Sequence, residues 1–199
     1  MSTFDMTTIS QLCEEILQQH AGLGRNLETL LLPGASSDDV SSISSDLGLI
    51  IPNSVIELYC WRNGTQEGTA TFSEMAFFPI WFMMSLDESK CTYQRLADYV
   101  GDIWNPSCFP IFASGSGDYI GVCCEQNSTS EGRMECYRHA TGINVEYRSL
   151  ESMLETILDA FRGKLFFMGD DGRFRVKRAE YRLVAHRLNP GLERWVPRE

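Results

Sequence analysis

The chain alternates between two hydrophobic periods. Near its start, Ile9, Leu12, Cys13, Ile16 and Leu17 are spaced i, i+3, i+4, i+7 and i+8, which puts them on one face of a helix. Thr8 and Gln11 offer a capping box at its start. Gly22 and Gly24 interrupt the stripe, and Leu27, Leu30 and Leu31 resume it. Val40, Ile43 and Leu47 predict a second helix, with Ser37 as cap, Asp38 and Asp39 in the first turn and Gly48 as the stop. Val55, Leu58 and Tyr59 mark a third after Pro52, ended by Asn63-Gly64. The period then shortens. Gly68–Phe72 and Phe77–Met84 read as extended. Ser85 and Glu88 form another capping box, followed by Tyr93, Leu96, Ala97 and Val100 at helical spacing. Cys108–Ala113 and Asp118–Cys124 flank a Ser-Gly-Ser-Gly turn, and Met134–His139 and Ile143–Arg148 pair through Ala140-Thr141-Gly142. Leu150, Met153, Leu154, Ile157, Leu158 and Phe161 make the most amphipathic helix. Hairpins with helices segregated around them define an α+β fold.

The last 37 residues have a different character. Phe166–Arg175 carries the turn Gly169-Asp170-Asp171-Gly172. A basic helix follows, with Val176, Leu183, Val184 and Leu188 as its apolar positions. Asn189-Pro190-Gly191 stops it, and Trp195 is placed to anchor the end. Charge follows the same division. Residues 1–160 hold 22 acids and 7 bases, a net of −15, whereas residues 161–199 hold 5 acids and 10 bases, a net of +5. The expected organisation is an α+β domain over 1–162 with a basic extension over 163–199 docked on it. The overall charge of −10 argues against general nucleic-acid binding. It suits a basic partner, which an acidic surface steers in. The less economical use of the tail is a nucleic-acid contact through Arg173, Arg175, Lys177, Arg178, Arg182 and Arg187.

Seven cysteines occur without a CxxC pair, most of them among apolar residues, which points to reduced, buried thiols. No apolar run approaches the roughly 18 to 20 residues of a membrane span. The opening MSTFDMTTIS lacks the basic and apolar regions of a signal peptide. A cytoplasmic protein with no membrane association is therefore expected. Enzyme chemistry has little to build on. Pairing His139 with Cys91 or Cys108 is the one nucleophilic arrangement worth weighing, while His20 and His186 sit on distant helices. Adjacent strand residues Cys123 and Cys124 point to opposite faces, so they cannot easily share a metal. Asp170-Asp171-Gly172 lacks the remainder of a calcium loop. Gly115-Ser116-Gly117 is followed by no lysine and opens no helix, so it reads as a turn rather than a phosphate cradle. No catalytic, cofactor or metal residues are assigned.

Three stretches, in order, resemble the SUKH superfamily. The first runs Leu47-Gly48-Leu49-Ile50-Ile51-Pro52, then through a short helix with Leu58 and Tyr59 to Asn63-Gly64. The second runs from Trp104 through Phe109-Pro110-Ile111-Phe112 to Gly115-Ser116-Gly117-Asp118-Tyr119-Ile120. The third is Ser149-Leu150-Glu151-Ser152-Met153-Leu154. Together they span roughly residues 36–162. One departure is that Val122-Cys123-Cys124 precede Glu125, where the superfamily often places an acidic residue after the Gly-Asp-Tyr strand. The resemblance implies a mixed, mostly antiparallel sheet with helices packed around it, plus here a C-terminal helical extension. It also implies a protein partner rather than a reaction. Bacterial relatives are immunity proteins that neutralise toxins, often nucleases, by direct binding. A fungal relative regulates cell-wall assembly.

The expected function is accordingly a non-catalytic binding protein that neutralises a toxin by occluding it, with a basic domain as the toxin the charge suits. The alternative is a regulatory factor in cell-wall assembly or signalling, and a small cysteine-dependent hydrolase is the reading from another class. The residues expected to meet the partner are Trp81, as an aromatic anchor ringed by acids, with Asp87, Glu88, Asp118 and Glu125.

Overall fold

The computed structural model describes residues 8–66, 68, 70–99 and 104–197. Val100 and most of the N-terminal segment considered above lie outside them. Helix α1 spans Ile9–Gly22, and its Thr8–Gln11 capping box is formed in both directions. The leucines after it do not resume the helix. Gly24 turns the chain at φ 72, Leu27–Leu30 form a single 3-10 turn, and the chain leaves as strand β1, Leu31–Pro33. Helix α2, Ser37–Leu47, is capped by Ser36 rather than Ser37. Ser36 stands three residues before Asp39, and each side chain bonds the other's backbone amide. Helix α3, Asn53–Trp61, passes directly into strand β2, Arg62–Thr65, which pairs antiparallel with β1.

Where the Gly68–Phe72 stretch, read as extended, ends, a helical turn begins: α4, Phe72–Met75. Strand β3, Phe82–Met83, and helix α5, Leu86–Tyr99, follow. The Asn63-Gly64 pair is therefore part of a strand, and its role is to seat α5. Asn63 Oδ1 accepts the Leu86 amide at 2.9 Å. Gly64, at φ 78, lets the chain pass so close that a Cβ there would lie 2.3 Å from the Ser85 nitrogen. The expected Ser85–Glu88 capping box completes the helix start.

The main sheet adds strands β4, Cys108–Ala113; β5, Tyr119–Cys123; β6, Met134–Arg138; and β7, Gly142–Tyr147. Its order is β3-β4-β5-β6-β7, and every pairing among the described residues is antiparallel. All six residues of β4 are buried, because both faces of the sheet are covered. Phe109, Ile111, Ile120 and Val122 join the main core with α1, α3 and helix α6, Leu150–Arg162. On the opposite face Cys108 and Tyr137 pack with Leu96 of α5 and with Trp104.

The tail forms a hairpin, β8, Phe166–Met168, with β9, Phe174–Val176, then helix α7, Arg178–Leu188, and a 3-10 turn over Glu193–Trp195. The buried residues of α7 are Tyr181 and Ala185. Leu183, expected inside, projects to solvent, since it lies two residues from Tyr181 and so on the far side of the helix. Phe166, Phe174, Tyr181 and Trp195 all belong to the main core cluster. Tail arginines pair with acids of the body: Arg187 with Asp159 and Arg194 with Glu146.

Asn189 fastens this arrangement. It is fully buried. Its Oδ1 accepts from the Arg148 amide at 3.1 Å and the Ser152 hydroxyl at 2.9 Å. Its Nδ2 donates to Thr156 Oγ1 at 3.0 Å and to the Ala185 carbonyl at 3.1 Å. That uses all four bonding positions of an amide side chain.

Candidate functional site

A two-part groove runs past Phe72, which lines both halves. The first half, about 490 Å³, lies between α5 and the β4–β5 turn, with Phe82, Glu88, Cys91, Arg95 and Tyr119 in its wall. The second, about 630 Å³, lies between that turn and the tail hairpin, with Ile80, Ser114, Ser116, Arg173 and Phe174. Phe72 is 58 % exposed and packs against Phe82 with ring centroids 5.9 Å apart. Glycine at residue 115 suits the close approach of the β4–β5 turn to this ring. A Cβ there would lie 2.6 Å from the Phe72 ring, and the backbone has φ 70. The Ser-Gly-Ser-Gly turn is thus one wall of the groove.

Local sequence holds Phe72 in place. Thr71 and Glu74 cap α4 reciprocally, the Glu74 carboxylate accepting the Thr71 amide at 2.7 Å. That bond holds the Glu74 carboxyl below its ordinary range. Beneath the loop lies the Arg25 guanidinium, stacked over Phe174 at 4.0 Å. It donates to the carbonyls of Ser73 and Ala76 at 2.8 Å each and of Glu74 at 3.3 Å. Its Nε donates to His20 Nδ1 at 2.9 Å, so the other ring nitrogen carries the proton and donates to the Phe77 carbonyl at 2.9 Å. Burial, then the neighbouring Arg25 charge, lowers the His20 pKa to about 3. Burial brings Arg25 down to about 10, still charged at neutral pH. Ser73 ties the loop to the tail by accepting the Phe174 amide at 2.9 Å.

The rim of the second half is strained. Trp81 N donates to the Phe78 carbonyl at 2.8 Å, closing a turn with Pro79 in its second position and Ile80 in its third. Ile80 has φ 74. Proline followed by a positive φ is the pattern of a type II turn, whose third position is normally glycine. A β-branched residue is costly there. Ile80 is nonetheless 61 % exposed, so packing gives little in return.

The residues expected to meet a partner do not converge. Trp81 is 4 % exposed and stacks on Phe78 with centroids 6.1 Å apart. It cannot present its ring to a partner, because the turn projects Ile80 and folds Trp81 inward. Glu88 lines the first half of the groove while its carboxylate caps α5. Asp87 points instead into a polar hollow with Asp39, Asp46 and Lys90. Asp118 adjoins the groove residues Gly117 and Tyr119. Its side chain accepts the His139 amide at 3.1 Å, bridging to the β6–β7 hairpin rather than holding its own turn. Glu125 is exposed beyond the other end of β5. Phe72 and Ile80 were missed. The Thr71-Phe-Ser-Glu74 capping signature could have revealed the helical turn, but periodicity carries no signal for the sign of φ at Ile80.

All seven cysteines are free thiols, and five are buried. Burial pushes the thiol of Cys124 up to about 12 and those of Cys13, Cys108, Cys123 and Cys136 above their ordinary value. A thiol so shifted is a poor nucleophile. Cys60 and Cys91 are exposed. Among the described residues, no three His, Cys, Asp or Glu side chains gather as metal ligands, and no helix is long and apolar enough to cross a membrane.

A family profile described as SMI1 / KNR4 family (SUKH-1) matches residues 34–156. That range contains α4, Ile80 and the β4–β5 turn, and stops short of the tail. No curated protein matches the chain.

Proposed function

The chain belongs to the SMI1 / KNR4 family (SUKH-1), whose profile covers well over half of it, and from that premise we propose that it is a non-catalytic module that docks a protein partner over the Phe72–Ile80 groove. Members of the family serve generally as immunity proteins or cell-wall regulators, acting by binding. The observation that carries the reading for this chain is Ile80. A large apolar side chain is held in an unfavourable backbone conformation and left in water. Strain of that kind persists at sites where a partner uses it. Phe72 beside it supplies a second exposed anchor of the kind that dominates interfaces.

In this reading residues 163–199 are an extension docked on the 1–162 body, and the hairpin's Gly172–Phe174 stretch contributes a wall of the groove. The protein works in the cytoplasm, a setting that suits seven free thiols. The charge around the groove is mixed, with Glu88, Arg95, Asp171 and Arg173 in its walls, which favours a regulatory partner. Toxin neutralisation is the second reading. The hollow of Asp39, Asp46 and Asp87 favours it, since these three acids outnumber its one lysine, Lys90, and would attract a basic toxin.

Photocrosslinking in the native cell tests the docking face. A benzophenone amino acid at position 72 or 80 is expected to trap a partner, and one at the equally exposed Leu183 is not. Equal trapping at all three positions, or none at any, would remove the groove from consideration. The toxin reading is checked by co-production with a toxin encoded beside this gene. Growth restored by this chain supports it, and continued arrest ends it.

A further inference from the structure

A separate hollow of about 350 Å³ opens between the tail and the sheet, walled by Arg138, Arg178, Arg182 and Arg194 over a floor of Tyr181 and Trp195. One buried carboxylate, Glu146, lies against two of these guanidinium groups. Arg138 and Arg194 share its Oε1, the latter through Nε at 2.9 Å. The Trp195 ring N–H donates to the Glu146 carbonyl. Arg182 is bonded to the carbonyls of Arg194 and Val196 at 3.0 and 3.2 Å, which carry no formal charge. Arg178 forms no hydrogen bond or ion pair among the described residues and is exposed. Asp118, which accepts the His139 amide, acts on Arg138 from nearby and offsets part of its charge. Four guanidinium groups, two of them bonded to Glu146 and one also near Asp118, leave a positive excess, in a chain whose net charge is −10. Helix α7 begins at the same place and has no side-chain cap, so its dipole adds to the positive potential.

The ligand chemistry follows from the residue type. All four basic groups are arginine, whose planar fork matches a phosphate or carboxylate with paired hydrogen bonds. A doubly charged phosphate answers the excess better than a carboxylate does. Ile80 lines both this hollow and the second half of the groove, so a segment seated in the groove passes the rim of the hollow. We propose that the hollow binds a phosphorylated side chain of the docked partner segment. This deepens the docking reading and rests on it for the ligand's seat. Three of the four arginines lie outside the family match at 34–156, while Arg138 and Ile80 lie inside it, so the hollow needs both the matched region and the extension.

The test uses the full chain labelled with nitrogen-15, following the Trp195 indole N–H by NMR at low ionic strength. The probes are a phosphoserine peptide pool with random flanks, the same pool unphosphorylated, and inorganic phosphate. The phosphorylated pool is expected to bind at least about tenfold more tightly than the unphosphorylated one, the scale of charge-assisted hydrogen bonds, and to move the Trp195 signal. Arg178→Glu is expected to abolish that advantage, and Arg178→Gln, which keeps the side chain's length and polarity, to reduce it. Equal binding of the two pools would overturn the proposal. So would inorganic phosphate binding as tightly as the phosphorylated pool, or indifference to both Arg178 variants. Phe72→Asp separates the two readings. It weakens docking along the groove but leaves the phosphate-induced shift at Trp195, so failure of one registers apart from failure of the other.

Discussion

The seam joining α1 and α6 to the tail and the face carrying Phe72 and Ile80 are built in contrasting ways. Along the seam, polar groups are taken out of water and answered. Asn189 uses all four of its bonding positions, and Arg25 spans three carbonyls and the His20 ring. On the face, large apolar groups are left in water and the backbone is strained at Ile80. The two are linked, because Arg25 holds the carbonyls of the very loop that presents Phe72. A seam whose Asn189 and Arg25 are fully bonded supports the neighbouring face while it carries strain, which is how a fixed binding surface is maintained.

Removing the seam's central amide gives the largest expected effect. Asn189→Leu strands the Arg148 amide and removes one bond each from the Ser152 and Thr156 hydroxyls, and stability should fall by about 3 kcal/mol. Urea unfolding measures this as a lower midpoint with unchanged slope, and a loss below about 1 kcal/mol would mean the seam is not where stability resides. Arg25→Met should cost about 2 kcal/mol, from the three carbonyls it frees. It should also weaken partner binding, since the loop under Phe72 loses its support. Unchanged binding would break the link between the regions.

Acid should act on the seam through His20. The folded pKa of about 3 lies below the ordinary value of about 6.5. The unfolded chain therefore binds the extra proton between those values, and stability falls as pH drops through that window, by at most about 1.4 kcal/mol per unit. Above pH 6.5 the contribution is constant. Comparing urea midpoints of the wild type and His20→Gln from pH 7 to 5 checks this, with the variant giving the flatter slope. The smallest effect has the opposite sign. Ile80→Gly should raise stability by about 0.5 to 1 kcal/mol by relieving the positive φ, while weakening binding. A destabilised Ile80→Gly would show that Ile80 serves the fold.

How much of this was visible beforehand follows the same division. The helix faces of α1 and α6, the β4–β5 and β6–β7 hairpins and the caps at Thr8 and Ser85 are local patterns, and the sequence displayed them. Trp195 was correctly expected to pack. Asn189 was legible only as part of a helix stop, because its partners Arg148, Ser152 and Thr156 come from a distant segment. The core side of α7 was misassigned for a similar reason, since Tyr181 and Ala185 are buried by tertiary contacts rather than by a strong stripe of their own. The groove was the least legible region. Trp81 is the larger and more interface-like residue, and only the turn geometry shows that its neighbour Ile80 faces out. Charge also misled. The acidic residues are spread over several surfaces, whereas four arginines gather in one hollow.

The most direct measurement is the affinity of the crosslinked partner, once purified, for the wild type and for the Phe72→Asp/Ile80→Asp variant, with melting temperatures recorded alongside. Both side chains are exposed, so the variant should fold normally. Loss of two interface anchors should weaken binding by at least about 30-fold, the scale of a hot spot. A properly folded variant that binds within twofold of the wild type would contradict the account.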